Sequence, residues 1–345
     1  MASISRPLAS ATDLGGYDAL VCGGGLSGWA AAVSLARAGH RTLLASEHTS
    51  LGHEVWGAMS VWWPPDASLP VPALWREVAG RLAAANAARG PLVDPVATQV
   101  LLEQMAREAG VRVLLQVTAH GGKEGPTLLT GKWGLMAARA VVVIDATARG
   151  RLALERGASL RATGTDEPVV RRALMVRTGV AEPRRMEVGR GLPLRDSAVM
   201  VWPALWPGEV VVEAEFALPI DDTSVLEIGT RRAMAEVAAR LRAADEAFGR
   251  GSLMHIAHEP ILPRERVLVA RDDASAATQV ECDEGVFDVA RGALLPAGAD
   301  GVVAASPAVD LGPISARACS HAPNAVRLGE AAAQVAQALV EGGAS

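Results

Sequence analysis

The run Tyr17-Asp18-Ala19-Leu20-Val21-Cys22-Gly23-Gly24-Gly25-Leu26-Ser27-Gly28-Trp29-Ala30-Ala31-Ala32 decides the fold. Tyr17 to Cys22 reads as a short buried strand, the glycines as a turn, and the Ala-rich stretch from Trp29 to Ala38, closed by Gly39, as a helix. Thr42-Leu43-Leu44-Ala45 is a second strand that ends in Glu47, completing a βαβ mononucleotide unit. In the Gly23-x-Gly25-x-x-Gly28 spacing the first glycine permits a tight turn, the second lets backbone approach a pyrophosphate, and the third lets helix and strand pack closely. A pyrophosphate is then held on the helix N-terminus, where free N–H groups and the dipole favour negative charge. Glu47, nineteen residues after Gly28 (47 − 28), is placed to bridge the ribose hydroxyls of an adenosine. A glycine triplet alone also suits other strand-to-helix turns, but here the strand, helix, second strand and terminal acid agree on a dinucleotide site.

Outward from this unit, one helix is expected from Pro72 to Arg89. A second runs from Pro95 to Gly110, with Asp94 as its N-cap and Pro95 at the first helical position. Val111 to Val117 reads as a strand, and a turn-rich stretch follows through Gly121-Gly122 and Gly125-Pro126. Ala140-Val141-Val142-Val143-Ile144 is an unbroken apolar run of the kind found in a central parallel strand, ending at Asp145-Ala146-Thr147. Between Pro168 and Gly285 the pattern changes to alternating strands, Val169 to Arg177, Ala198 to Pro203 and Glu209 to Phe216, with one long helix from Ser224 to Phe248. The tail returns to a strand at Gly301 to Ala305 and a helix from Ala322 to Val340. The expected fold class is α/β: a discontinuous Rossmann-type cofactor domain, 14–165 and 286–345, with an inserted antiparallel β/α substrate domain, 166–285.

Three segments carry a resemblance. Ala140-Val141-Val142-Val143-Ile144-Asp145-Ala146-Thr147-Ala148-Arg149-Gly150-Arg151-Leu152-Ala153 resembles the A-x-x-x-I-D-A-T-G-D-G-D-L-A segment of the FAD-dependent oxidoreductase family, in the glutathione-reductase-type flavoprotein superfamily. Pro263-Arg264-Glu265-Arg266 is similar to that family's R-E-x-R segment, and Ala325-Val326-Arg327-Leu328-Gly329-Glu330-Ala331-Ala332 to its closing L-G-Q-A-A-G helix. Ala148, Arg149 and Arg151 depart from the usual Gly, Asp and Asp, and Ala305-Ser306 stands in place of Gly-Arg. The resemblance implies a glutathione-reductase-like fold and FAD. It implies that Asp145 and Thr147 close on the adenosine end, while Ser306, Asp310 and the start of the Gly329 helix face the ribityl chain and ring. The expected cofactor shell is therefore Gly23, Gly25, Leu26, Ser27, Gly28, Glu47, His48, Gly52, His53, Val117, Asp145, Ala146, Thr147, Ser306, Asp310 and Gly329. With no second glycine fingerprint in mid-chain there is no dedicated NAD(P)H domain. The flavin is then reduced by substrate or by a donor that docks transiently.

His53 follows the second strand within Leu51-Gly52-His53-Glu54-Val55-Trp56-Gly57. It resembles, within about one residue of register, the histidine that some fumarate-reductase-type flavoproteins bond to the flavin methyl. Its plainer reading is a loop histidine bonded to phosphate or solvent. Trp56, Trp62, Trp63 and Trp75 put four of eight tryptophans within twenty residues, flat apolar surfaces that suit a pocket wall, with core packing as the alternative for Trp75. Trp62 and Trp63 are adjacent in an extended segment and point opposite ways, so one reaches the cavity. Arg264 and Arg266, two apart, share a face and could hold a substrate carboxylate; ion pairing with Asp272, Asp273 or Glu265 is the alternative. These four side chains, Trp62, Trp63, Arg264 and Arg266, are the expected substrate contacts. His255 and His258, three apart on a strand, are expected on opposite faces, and no metal site is expected.

Half of the 345 residues are hydrophobic and 21% are charged, the balance of a packed globular chain. The net charge of −5 carries no basic stripe, which argues against nucleic acid. Cys22, Cys282 and Cys319 stand far apart, without the C-x-x-C spacing of a cluster or zinc knuckle. The first sixteen residues have no continuous apolar core and no eighteen apolar residues run together, so a cytoplasmic, membrane-free protein is expected. The expected activity is hydride transfer between flavin and a small molecule, with an external electron acceptor or donor or a homodimer as further partners. A flavin monooxygenase and a redox-inactive assembly subunit are the rivals.

Overall fold

β1 (Thr12–Cys22) begins exposed and becomes continuously buried from Ala19 to Cys22, because strands on both sides cover it. The computed structural model describes residues 11–63, 68–122, 125–164, 166–219, 222–282, 285–311 and 321–342; Pro64, Pro65 and Cys319 lie outside them. After β1 come α1 (Leu26–Arg37), β2 (Thr42–Ser46), α2 (His53–Trp56), α3 (Ala73–Ala84), β3 (Ala88–Arg89), β4 (Leu92–Val93) and α4 (Pro95–Glu108). β5 (Arg112–Leu115), β6 (Val117–His120), β7 (Thr127–Gly131), β8 (Gly134–Asp145), α5 (Arg151–Glu155) and β9 (Leu160–Ala162) complete the first half. The second lobe holds β10 (Val169–Val176), β11 (Arg184–Glu187), β12 (Ala198–Pro203), β13 (Val210–Phe216), α6 (Thr223–Ala244) and β14 (Ser252–Ile256). The chain returns through β15 (Arg266–Leu268), β16 (Ala276–Cys282), β17 (Gly285–Ala290), β18 (Val302–Ala304) and α7 (Ala322–Gly342).

In the first sheet β5, β2, β1 and β8 are parallel in that order. β18 pairs with the end of β8, and the β6–β7 hairpin extends the same edge. The chain moves outward from β1 through β2 to β5 and then crosses to β8, so strand order reverses at β1. Ligands of doubly wound sheets lie at such a switch point, outside the carboxyl ends of the strands. Cys22 there stands in register with Ala45 of β2 and Asp145 of β8. Burial pushes the Cys22 thiol pKa up, and it serves as a small apolar residue.

The second sheet, β11-β12-β13-β10-β14, is antiparallel. Period-two alternation sends Val169, Ala173 and Met175 of β10, with Val201, Val212 and Phe216, onto the apolar face of α6. The opposite face, through Leu174 and Val211, joins the core of the cofactor lobe. β15 pairs with β9, and Val280 and Val289 of the β16–β17 hairpin bury with Val326 of α7 in the cofactor-lobe core. The expected helix through Arg89 stops at Ala84, where Asn86 takes a positive φ of 56°. The strand expected over 111–117 is broken at Gln116, φ 57°. Among the described residues no helix is long and apolar enough to cross a membrane.

Candidate functional site

The glycine loop is packed on both sides. Gly23 has φ 118°, and a Cβ on it would lie 2.2 Å from the Ala146 carbonyl oxygen, which brings the β1–α1 turn against the β8–α5 turn. Asp145 holds that second turn from inside. Its fully buried carboxylate accepts from Thr147 N–H (3.0 Å), the Thr147 hydroxyl (2.6 Å) and Ala153 N–H (2.7 Å). Burial raises its pKa against the pull of these bonds. Asp145 thus shapes the turn and caps α5 with both oxygens engaged. In front of Gly25 the first-turn N–H groups of α1 open onto Glu54, whose two oxygens accept from Leu26 N–H at 3.0 and 2.9 Å. Ser27 is buried, and its hydroxyl donates to the Ala305 carbonyl.

Glu47 is exposed at the end of β2, and His48 follows it with its carbonyl accepting from Gln116 N–H, beside Val117. The His48 and His53 rings stack with centroids 4.2 Å apart and planes 2° apart. Glu259 of the inserted lobe reaches both, 3.1 Å from His53 Nε2 and 3.6 Å from His48 Nδ1. Burial works against the His53 cation, but the Glu259 hydrogen bond and the Glu54 and Glu47 charges outweigh it and hold its pKa above the ordinary 6.5. His48 is held below that value by burial and by His53. Although the three ligand-type groups lie within 4.8 Å of one another, an ion in the plane of one of two parallel rings stands well out of the plane of the other. Their lone pairs do not converge, so the trio is an ion-paired clamp between lobes.

Glu259→Gln is expected to lower the pH at which the His53 imidazole protons titrate by NMR; an unchanged titration would refute the clamp. The raised His53 pKa stabilises fully below 6.5 and is lost as pH rises through the folded value. The lowered Glu259 pKa stabilises above its ordinary 4.5 and is lost as pH falls. The clamp is therefore strongest between those values, and with Glu259 46% exposed it is worth at most about 1 kcal/mol.

At the other end the expected residues have these surroundings. Gly329 is not at a helix start: it lies within α7, where a Cβ would sit 2.1 Å from the Ser27 carbonyl, so it serves the close crossing of α1 and α7. Both Asp310 oxygens are taken by the Arg161 guanidinium of β9. Ser306 is buried, its hydroxyl accepting from Ala308 N–H at 3.2 Å in the turn after β18.

The inserted sheet turns one face to the segment that follows His53. Arg172 of β10 donates to the Ser60 hydroxyl (2.6 Å), the Ala58 carbonyl (3.2 Å) and Glu213 of β13 (2.7 Å). Trp62 stacks on Trp202 of β12, centroids 4.6 Å apart, whereas Trp63 turns the other way onto buried Trp75. Trp56 meets His258 edge-on, and its buried indole N–H has no hydrogen-bond partner among the described residues. His255 and His258 do not take opposite faces. β14 ends at Ile256 after a register shift, and the rings come within 4.9 Å. Arg264 is paired with Glu167 at 2.5 Å, both side chains largely buried, and Arg266 is exposed at the start of β15, so the two do not form a fork. Sequence reasoning did not single out Arg172, Glu213 or Trp202. Their available signal was parity, since they fall on the strand face opposite the α6-facing residues.

An extended dinucleotide fits this frame: α1 N–H groups and a glycine-sized recess for pyrophosphate, an exposed carboxylate at the β2 end for ribose, and the 52–63 segment leading to the second lobe. A family model described as FAD dependent oxidoreductase matches residues 18–199, just over half of the chain. No curated protein matches in sequence. Among solved structures, p-nitrophenol 4-monooxygenase PnpA from Pseudomonas putida DLL-E4 is 17% identical with a TM-score of 0.59, covering 96% of this chain and 81% of its own. The myxobacterial chondrochloren halogenase CndH is 14% identical, TM-score 0.56, with 95% and 75% covered. NikD, an unusual amino acid oxidase of nikkomycin biosynthesis, is 16% identical, TM-score 0.55, with 92% and 94% covered. These likenesses are of fold. The chain belongs to the FAD dependent oxidoreductase family, an α/β flavoprotein enzyme with FAD as its cofactor.

Proposed function

We propose that this oxidoreductase is of the dehydrogenase or oxidase type, passing a hydride between a small, largely apolar or aromatic molecule and FAD. The observation that carries this reading is the wall that the inserted sheet presents to segment 57–63: the Trp62–Trp202 stack beside an Arg172–Glu213 pair whose charges cancel. Flat surfaces with one internally neutralised pair suit a neutral planar substrate better than a carboxylate. FAD supplies the two-electron chemistry. The protein's part is to seat the substrate against these indoles, keep water from it, and fix segment 58–60 through Arg172. Leu26, Ser27, Glu47 and Val117 would hold the nucleotide, and electrons pass to or from an external partner.

Anaerobic mixing of the FAD-loaded enzyme with a panel of aromatic alcohols, amines and amino acids tests the reaction type. Bleaching of the oxidised flavin band by a panel member supports it. Bleaching only by NAD(P)H, with oxygen uptake coupled to a hydroxylated product, overturns it in favour of a monooxygenase. With a bleaching substrate in hand, Trp202→Ala should raise KM about tenfold and leave kcat within about threefold, the loss of one stacked aromatic.

A further inference from the structure

Glu54 stands in the first turn of α2, and its carboxylate sits at the head of α1, both oxygens on Leu26 N–H at 3.0 and 2.9 Å. A Cβ on Gly25 would lie 2.4 Å from Glu54 Oε1, so the recess opened by the missing side chain of the second glycine is filled by this carboxylate. The contact is braced by Gly52 N–H, which donates to the Gly24 carbonyl at 2.8 Å and ties the start of α2 to the glycine loop. These are the features by which a dinucleotide loop receives a pyrophosphate: a free first-turn N–H, the positive end of a helix dipole, and backbone bare of a side chain. Two anions cannot share one N–H and one glycine-sized recess.

We propose that Glu54 is a displaceable internal ligand of the pyrophosphate cradle. Its carboxylate caps α1 while the cradle is empty and is expelled when FAD binds, so the protein keeps a satisfied, folded glycine loop without cofactor at the expense of affinity for it. The inference rests on the family's cofactor and is independent of the direction of the chemistry.

The test is titration of the deflavinated full-length protein with FAD, ADP and adenosine, for the native chain, Glu54→Ala and Glu54→Gln, with thermal melts of the empty and FAD-loaded forms. Both variants should bind FAD and ADP about tenfold more tightly, the scale of a carboxylate at a partly buried helix N-terminus, and adenosine, which lacks phosphate, with unchanged affinity. Empty Glu54→Ala should melt below the native protein, with the gap closing in the FAD-loaded forms. Equal or weaker FAD binding by both variants, or the same melting deficit with and without FAD, would show that Glu54 caps α1 permanently and overturn the proposal. Should Glu54→Ala fail to fold, the near-isosteric Glu54→Gln carries the comparison. If native and variant chains alike bind neither FAD nor ADP, the cofactor assignment fails and the proposal with it.

Discussion

Gly28→Ala will abolish FAD retention. A Cβ at this position would lie 2.0 Å from the Gly23 carbonyl oxygen and 2.9 Å from the Ala146 side chain. The first of these neighbours is backbone, so no rotamer change relieves it, and α1 must lift from the β1 turn. The lift spoils both functions of the loop at once, since the first-turn N–H groups leave the cradle and the apolar seat of Trp29 to Val33 against the sheet is disturbed. Overpacking of this kind costs about 3 kcal/mol, and a displaced helix N-terminus should weaken FAD at least about a hundredfold. Equilibrium dialysis with FAD and a chemical denaturation curve check both figures. Gly80→Ala supplies the control: among the described residues no atom beyond its own helix turn and chain neighbours lies within 4 Å of its Cβ position in α3, and alanine there should be neutral or stabilising by up to about 1 kcal/mol. A Gly28→Ala protein that copurifies with FAD at the native ratio would show that the close packing seen here is not required.

The contrast between these glycines explains what could be read from the chain. Gly23, Gly25 and Gly28 act within one strand-turn-helix, where each missing Cβ has a partner that spacing alone identifies. The strands of the inserted lobe were legible for the same reason, as period-two burial is written in consecutive residues of β10 and β13. Apart from the local breaks at Asn86 and Gln116, the failures are non-local. β15 turns back to the cofactor lobe because it pairs with β9, about a hundred residues earlier, and nothing in Arg266-Val267-Leu268 announces that partner. Glu54 looks like an ordinary acid in a short helix until α1 is placed beside it, and nothing near Asp310 in the sequence announces its ion pair with Arg161. Gly329 was read from family position, whereas its neighbour is the Ser27 carbonyl. His255 and His258 defeat strand parity through one register shift before the strand ends. One further signal is written in the chain: in Val169-Val170-Arg171-Arg172-Ala173 the first arginine falls on the core-facing parity of an otherwise apolar strand, which demands a buried acceptor set.

That set makes Arg171→Leu the costliest single substitution in the inserted lobe. The Arg171 guanidinium is fully buried and donates to Glu227 (2.7 Å), the Thr230 hydroxyl (3.0 Å), the Ala257 carbonyl (2.7 Å) and the His258 carbonyl (2.8 Å). Burial lowers its pKa, and the hydrogen bond and charge of Glu227 oppose that shift. Leucine fills part of the volume but takes the guanidinium from the Ala257 carbonyl and leaves Glu227 and the His258 carbonyl with Arg231 alone, and Glu227, 28% exposed, recovers water more easily than the two carbonyls. Loss of one partner from a buried ionic network costs about 3 to 5 kcal/mol, readable by denaturant unfolding. The consequence reaches the functional site because the two carbonyls immediately precede Glu259, so the segment that carries the clamp on His53 loses its anchor. His53 should then titrate lower in Arg171→Leu, as in Glu259→Gln, although residue 171 touches neither ring. Arg171→Lys, which keeps the charge but cannot span four acceptors, should fall between native and leucine in both readouts and serves where the leucine protein does not fold. A stability change below about 1 kcal/mol in Arg171→Leu would mean that water replaces the guanidinium at these carbonyls, and that the inserted lobe is held by its apolar face on α6 alone.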